Sequence, residues 1–281
     1  MHIVSKIISL ILVAFLLSAC ENQQQRNQRI IQQKCSPSNY INWVRAGDGE
    51  CLALEVWGAE ELQKNAEVPK TMLVYLAGDH RLSKDSTLPY SKKQIQSAGI
   101  IGNKTLTVLL SRPGYSVNGR TSTGDAHNGY AYYSQQNVDA IAAAIKNLKQ
   151  HYQPQKVLLI GNSSGASMAL IALAQHNNIA DFVIASSCAC SFFQWGSFDA
   201  SISGSLDPID FVGKLPKEQK IALFVGDNDD NTSAVFSKKF VDKAIKLGFK
   251  NVKMHLLRGA NHAQTKTNKV VLAKIKQILR Q

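Results

Sequence analysis

Apolar runs of four to eight residues alternate along this chain with stretches whose apolar positions recur every three or four residues. The first kind reads as buried strand and the second as amphipathic helix. Their alternation predicts an α/β fold with a mostly parallel central sheet and helices on both faces. TMLVYLAG at 71–78 and KTLTVLLS at 104–111 read as strands, and residues 134–151 place Val138, Ile141, Ile145 and Leu148 at helical spacing. KVLLIGN at 156–162 is a further strand, followed by the helical ASMALIALAQ at 166–175. DFVIASS at 181–187 and KIALFVGD at 220–227 continue the strand series. SAVFSKKFVDKAIKLG reads as a helix ended by Gly248, VKMHLLRG at 252–259 as the last strand, and TNKVVLAKIKQIL as the last helix. The pieces around 40–57, with AGDGE as the turn, predict an N-terminal antiparallel hairpin that extends the sheet edge.

The first 34 residues break this rhythm. Lys6 precedes IISLILVAFLL, an apolar run too short for a convincing membrane span, and LSAC follows at 17–20. That ending resembles the bacterial lipobox, which predicts a lipoprotein signal peptide over 1–19 and lipidation of Cys20. The alternative is an ordinary secretory signal cut after Ala19. Three acyl chains would hold the protein stably on a membrane. Glu21, where an aspartate commonly retains such proteins at the inner membrane, favours the periplasmic face of the outer membrane. Residues 20–34 are rich in glutamine and poor in apolar bulk, so they read as a flexible tether. The folded domain is then expected over 35–281, with no internal repeat and no second domain.

Lysine and arginine number 32 against 20 acids, a formal net charge of +12. The surplus reads as scattered solubilising charge on polar helix faces, as at Lys146, Lys149, Lys238, Lys239, Lys243 and Lys246. Contact with anionic headgroups is the less favoured use of it. Nucleic acid is not an expected partner, because no basic-aromatic module is present. Besides Cys20 there are four cysteines. Cys35 and Cys51 flank the amino-terminal hairpin and are the first choice for a disulfide. Cys188 and Cys190 are two apart, which leaves buried thiols or a labile bridge in a small ring both open. No histidine lies at ligand spacing from them, so no metal and no cofactor are expected.

The chemistry gathers at three strand ends. GNSSG at 161–165 follows VLLI, and its central Ser163 would sit on a tight strand-to-helix turn. Gly161 and Gly165 lack the Cβ atoms that would collide there. GDNDDN follows the strand KIALFV, and RGANHA follows the last strand. A serine hydroxyl needs a base to take its proton, and the base needs an orienting partner. His262 is the expected base. Asp227, Asp229 and Asp230 compete as the acid that orients it, and those not used would be turn residues. The backbone N–H of Ser164 should form half of an oxyanion hole, with Asp79 or Gly78 supplying the other half. A carboxylate at Asp79 is expected to point away or to bind Arg81 or a cationic substrate group. His80 could line the pocket. Phe192, Phe193, Trp195 and Phe198 could form an apolar acyl pocket or pack over the sheet edge.

Over nearly all of residues 70–281 the chain resembles the α/β-hydrolases. SRPGYSVNGR at 111–120 is similar to the turn after the family's fourth strand, and LDPIDFVGKLPKEQKIALFVGDNDD at 206–230 resembles the approach to the acid in its prolyl-oligopeptidase and dienelactone-hydrolase branches. The resemblance implies serine-dependent hydrolysis of an ester, thioester or amide. The order serine, acid, histidine is the one this fold uses, and the family's usual acid, three residues after the strand-ending glycine, implies Asp229 after Gly226, with Asp227 as second choice. The leading expectation is a lipid-anchored periplasmic carboxylesterase. A peptidase or amidase on small peptides, and a non-catalytic binding lipoprotein that keeps the fold, are the alternatives.

Overall fold

The structure is a computed structural model that describes residues 33, 35, 39–47, 49–79, 85–102, 104–126, 133–191 and 204–281. The expected signal segment 1–19, Cys20 and nearly all of the tether lie outside the described residues, as do His80, Arg81, Phe192, Phe193, Trp195 and Phe198.

The strands are β1 (Trp43–Arg45), β2 (Cys51–Trp57), β3 (Thr71–Leu76), β4 (Thr105–Leu110), β5 (Ser116–Val117), β6 (Arg120–Thr121), β7 (Lys156–Asn162), β8 (Phe182–Ser186), β9 (Lys220–Gly226) and β10 (Val252–Leu257). The helices are α1 (Ala59–Lys64), α2 (Lys92–Ala98), α3 (Gln135–Tyr152), α4 (Ser164–Gln175), α5 (Ala234–Lys246), α6 (His262–Thr265) and α7 (Lys269–Arg280), with a 3-10 turn at Pro208–Lys214. One sheet of eight strands runs β1-β2-β4-β3-β7-β8-β9-β10, and β5 pairs with β6 in a separate small ribbon. β2 is antiparallel to β1 and to β4, while every pair from β4 through β10 is parallel. This is the expected α/β-hydrolase architecture, with the hairpin at the edge.

The central strands are apolar throughout because both of their faces are covered. β3 and β4 are buried at every position. On one face Val138, Ile141 and Ile145 of α3 join Leu170 and Leu173 of α4 and Phe240 of α5 in a common core. On the other, Ile95 of α2 packs with Val271, Ile275 and Ile278 of α7. α7 repeats its buried residues at a spacing of three or four, so one stripe faces the sheet and the remainder faces solvent.

Helix starts are set by short polar side chains. The Ser134 hydroxyl accepts from the Asn137 N–H at 3.2 Å, and the Asn268 side chain accepts from the Val270 N–H at 3.0 Å. Ser91 and Gln94 form a reciprocal capping box at α2, an element absent from the sequence reading because its seven residues carry too few apolar positions to show a period.

Cys35 and Cys51 form a disulfide across the hairpin. Cys188 and Cys190, left open by the sequence, form a second. Among the described residues no cluster of His, Cys, Asp or Glu could hold a metal ion, and no helix is long and apolar enough to cross a membrane.

Candidate active site

Parallel strands deliver their following loops to a single rim of the sheet. The loops after β3, β7, β9 and β10 carry Asp79, Ser163, Asp229 and His262 respectively. Ser163 joins β7 to α4 with φ 52° and ψ −124°, a left-handed backbone that a side-chain-bearing residue rarely adopts. The turn is held by the Ser163 N–H, which donates to the Ser186 carbonyl at 2.8 Å. As N-cap of α4 its hydroxyl makes no capping bond, which leaves it available elsewhere.

That hydroxyl lies 3.1 Å from His262 Nε2. On the other side of the ring, His262 Nδ1 lies 3.0 Å from Asp229 Oδ1 and 3.1 Å from Oδ2. The Asp229 side chain is fully buried, whereas the ring keeps an exposed edge. With the proton on Nδ1 donated to Asp229, the Nε2 lone pair faces the Ser163 hydroxyl.

Burial acts to raise the Asp229 carboxyl. Hydrogen bonds from His262, from the Thr232 N–H and from Ser187, together with the His262 charge, outweigh burial and hold the carboxyl below its ordinary value. The Thr232 N–H donates to Asp229 Oδ1 at 2.7 Å, and its hydroxyl lies 3.0 Å from both Asp229 Oδ2 and the Ser187 carbonyl. Thr232 escaped the sequence reading because a threonine in a polar loop carries no motif.

Asp227 takes a different part. Its carboxylate accepts from the Gly259 N–H at 2.7 Å, so it ties the β9 loop to the β10 loop and does not touch the His262 ring. Asp230 is exposed. The two loops abut so closely that a Cβ on Gly226 would sit 1.9 Å from the Ala260 carbonyl oxygen. His262 opens α6, whose capping box pairs Asn261 with Gln264 at 3.0 Å in both directions. The Asn-x-x-Gln spacing is the signal in the sequence for this helix start.

The loop after β3 lies over the start of α4. A Cβ on Gly165 would come 2.5 Å from the carbonyl oxygens of Leu76 and Ala77, and Gly78 packs on Ser163 itself. Ser164, first residue of α4, carries one of the N–H groups that a helix leaves without a carbonyl. Arg81, one expected partner of Asp79, lies outside the described residues; the Asp79 carboxylate is turned into the protein. Its Oδ1 accepts from Arg112 Nη2 at 2.8 Å, the Tyr115 hydroxyl at 2.8 Å and the Ser164 hydroxyl at 2.7 Å. Arg112 is buried, and its guanidinium also stacks 4.0 Å above the Tyr115 ring. Burial acts to lower the Arg112 pKa, but the charge of Asp79 and the hydrogen bond to it leave it above the ordinary value. Tyr115 is pushed up, chiefly by burial, and so stays a donor. Arg112 and Tyr115 stood in the quoted SRPGYSVNGR segment, but only their fold placed them against Asp79.

The prolyl oligopeptidase family model matches residues 115–280. The chain belongs to the prolyl oligopeptidase family. Similar solved structures include Est1E from Butyrivibrio proteoclasticus, solved with ferulic acid bound, at 16% identity over 85% of this chain and 97% of that one, with a TM-score of 0.61. The Pyrococcus furiosus esterase Pf2001 is similar at 14% identity over 85% of this chain and 87% of that one, with a TM-score of 0.60. Porphyromonas gingivalis dipeptidyl peptidase 4 is similar at 14% identity and a TM-score of 0.64; the match covers 85% of this chain and 35% of the peptidase. No curated protein sequence matches the chain. The family and these folds make the protein a serine hydrolase of an ester or a peptide.

Proposed function

We propose that this chain is a lipid-anchored periplasmic serine esterase in which Ser163 attacks the acyl carbon of a small-molecule ester. The observation that carries the reading is the continuous relay from Ser163 through His262 to buried Asp229. As the Ser163 oxygen bonds to carbon, His262 Nε2 takes its proton, and Asp229 stabilises the imidazolium and fixes its tautomer. The carbonyl oxygen becomes an oxyanion held by the N–H of Ser164 and by that of Asp79 or Gly78. Collapse of this intermediate expels the alcohol, which leaves with the proton from His262. Water then enters by the same route and releases the acid.

An ester is favoured over a peptide on two grounds. The esterase folds above are matched over most of their length, whereas most of the peptidase has no counterpart here. The carboxylate best placed to grip a substrate amine, Asp79, already has Arg112 against it. The oxidised cysteine pairs suit an exported protein, and the lipobox-like LSAC with Glu21 favours the outer membrane.

A fluorophosphonate probe tests the nucleophile. Wild type should be labelled at Ser163 and Ser163→Ala should not; an unlabelled but folded wild type would sink the catalytic reading and favour the binding-protein alternative. A panel of p-nitrophenyl esters and aminoacyl amides then reads the substrate class, and faster turnover of the amides would replace the esterase with a peptidase.

A further inference from the structure

The charge of this protein is not scattered. Between Ala234 and Gln281 twelve lysines and arginines face a single acid, Asp242, so this stretch carries +11 of the chain's +12. The same stretch holds the last strand of the sheet and a helix on each of its faces. Among the described residues β10 ends the sheet and pairs only with β9. α5 covers one face there through Phe240, Val241 and Ala244, and α7 covers the other through Val271, Ile275 and Ile278. The flanks of the two helices beside β10, with the edge of β10 between them, make a cationic wall.

The wall is also unusually apolar. Of seven large hydrophobic side chains exposed among the described residues, five belong to it: Val235, Ile245, Leu247, Leu256 and Val270, each at least 41% exposed. Ordinary solubilising surfaces intersperse both signs of charge and keep such residues few. Protecting a sheet edge from pairing needs a lysine on the edge strand, which Lys253 supplies, and does not need the other eleven cations. A second copy docking through the same edge would set one cationic wall against another. The local field is felt inside: His255 of β10 is held below its ordinary pKa first by burial and then by Lys274 and Lys253.

We propose that the α5–β10–α7 wall is a docking face for an anionic phospholipid surface. Its lysines would meet headgroup phosphates while the exposed apolar side chains enter the headgroup boundary, the pairing that holds peripheral proteins on anionic membranes. His262 opens α6 within the same unit, so docking sets one side of the reaction rim close to the lipid. The proposal stands apart from the ester reading and from lipidation of Cys20.

The full chain is reconstituted on vesicles of phosphatidylcholine with or without phosphatidylglycerol, so that any N-terminal anchoring is common to both. A polarity-sensitive dye on Leu256→Cys reports contact of the wall, and one on Ile41→Cys reports the opposite sheet edge. The Leu256 dye should shift to the blue only with phosphatidylglycerol, and the shift should vanish in high salt. Each lysine near an anionic surface favours contact roughly fivefold, so Lys246→Glu, Lys253→Glu and Lys269→Glu together should weaken it more than about a hundredfold. These three side chains are exposed and lie outside the reaction machinery, so hydrolysis of a soluble ester should stay within about twofold. The same shift on both lipid mixtures, an equal shift at Ile41, or a shift that survives the triple reversal would overturn the proposal. So would a response to heparin in solution without one to vesicles, which would mark a soluble polyanion as the partner.

Discussion

The carboxylate of Asp79 and the hydroxyl of Ser164 meet at 2.7 Å, linking the loop after β3 to the first residue of α4. Both residues are candidates to offer a backbone N–H to the oxyanion, so this bond fixes the spacing of the two donors. Arg112 and Tyr115 hold the same carboxylate oxygen from a third loop, and the carboxylate is thereby turned to the protein and not to the substrate.

Ser164→Ala keeps the backbone N–H and removes only the side-chain bond. It should lower kcat about tenfold with KM within twofold, since loosened oxyanion donors act on the transition state alone. Steady-state kinetics on a p-nitrophenyl ester separates the two constants; a raised KM at unchanged kcat would show that Asp79 contacts substrate. Asp79→Asn should cost about 2–4 kcal/mol of stability in urea unfolding, because buried Arg112 loses its counter-charge.

The Thr232 hydroxyl stands against the carboxylate that orients His262. Thr232→Val keeps the volume and removes that oxygen, so kcat should fall about tenfold. Asp229→Asn, which leaves the base with the wrong tautomer, should cost roughly 10⁴ in kcat. Asp227→Asn should change kcat less than about threefold, because its partner is the Gly259 N–H and not the ring. A larger loss at Asp227 than at Asp229 would reverse the assignment of the acid.

Stability should record the same carboxylate. Asp229 is held below its ordinary value in the folded chain, so folding favours its ionised form. Its contribution is complete above the unfolded value of about 3.9 and is lost as pH falls through the lower folded value. The melting temperature of wild type should therefore exceed that of Asp229→Asn near neutrality, with the gap closing on acidification below about pH 4. A gap that widens in acid would mean that burial, and not the hydrogen bonds, sets the carboxyl.

The elements that the sequence made legible are those with a long enough period. α3 and α7 show their buried stripes over twelve residues or more, and β3, β4, β7 and β9 are apolar runs closed by polar loops. Ser163 and Asp229 stood out because each follows such a run, and His262 because it stands on the loop after the last strand. Short elements such as α1, α2 and the β5–β6 ribbon offer two to seven residues, too few for either period. Asp79 was conspicuous, but its partners Arg112 and Ser164 lie 33 and 85 residues away, and only the strand order brings them together. The polarised charge shows in the sequence only when residues 234–281 are summed together, because each helix alone carries an ordinary share of lysines.

The two disulfides should differ in what they do for the fold. Cys35–Cys51 closes a separation of 16 residues and fastens the chain ahead of β1 to the start of β2, whereas Cys188–Cys190 closes a separation of 2. In the chain-entropy account, stabilisation grows with the loop that is closed, and a loop of this size is worth roughly 3 kcal/mol. The double variant Cys35→Ser with Cys51→Ser should lose about that much in urea unfolding, with activity on a soluble ester retained because the hairpin lies at the far edge of the sheet from Ser163. Cys188→Ser with Cys190→Ser removes almost no loop entropy, yet Cys188 follows Ser187, whose carbonyl lies against the Thr232 hydroxyl. That pair should leave stability within about 1 kcal/mol and act on kcat instead, through the seat of Asp229. Equal losses of stability in the two double variants would show that chain entropy is not what these bridges supply.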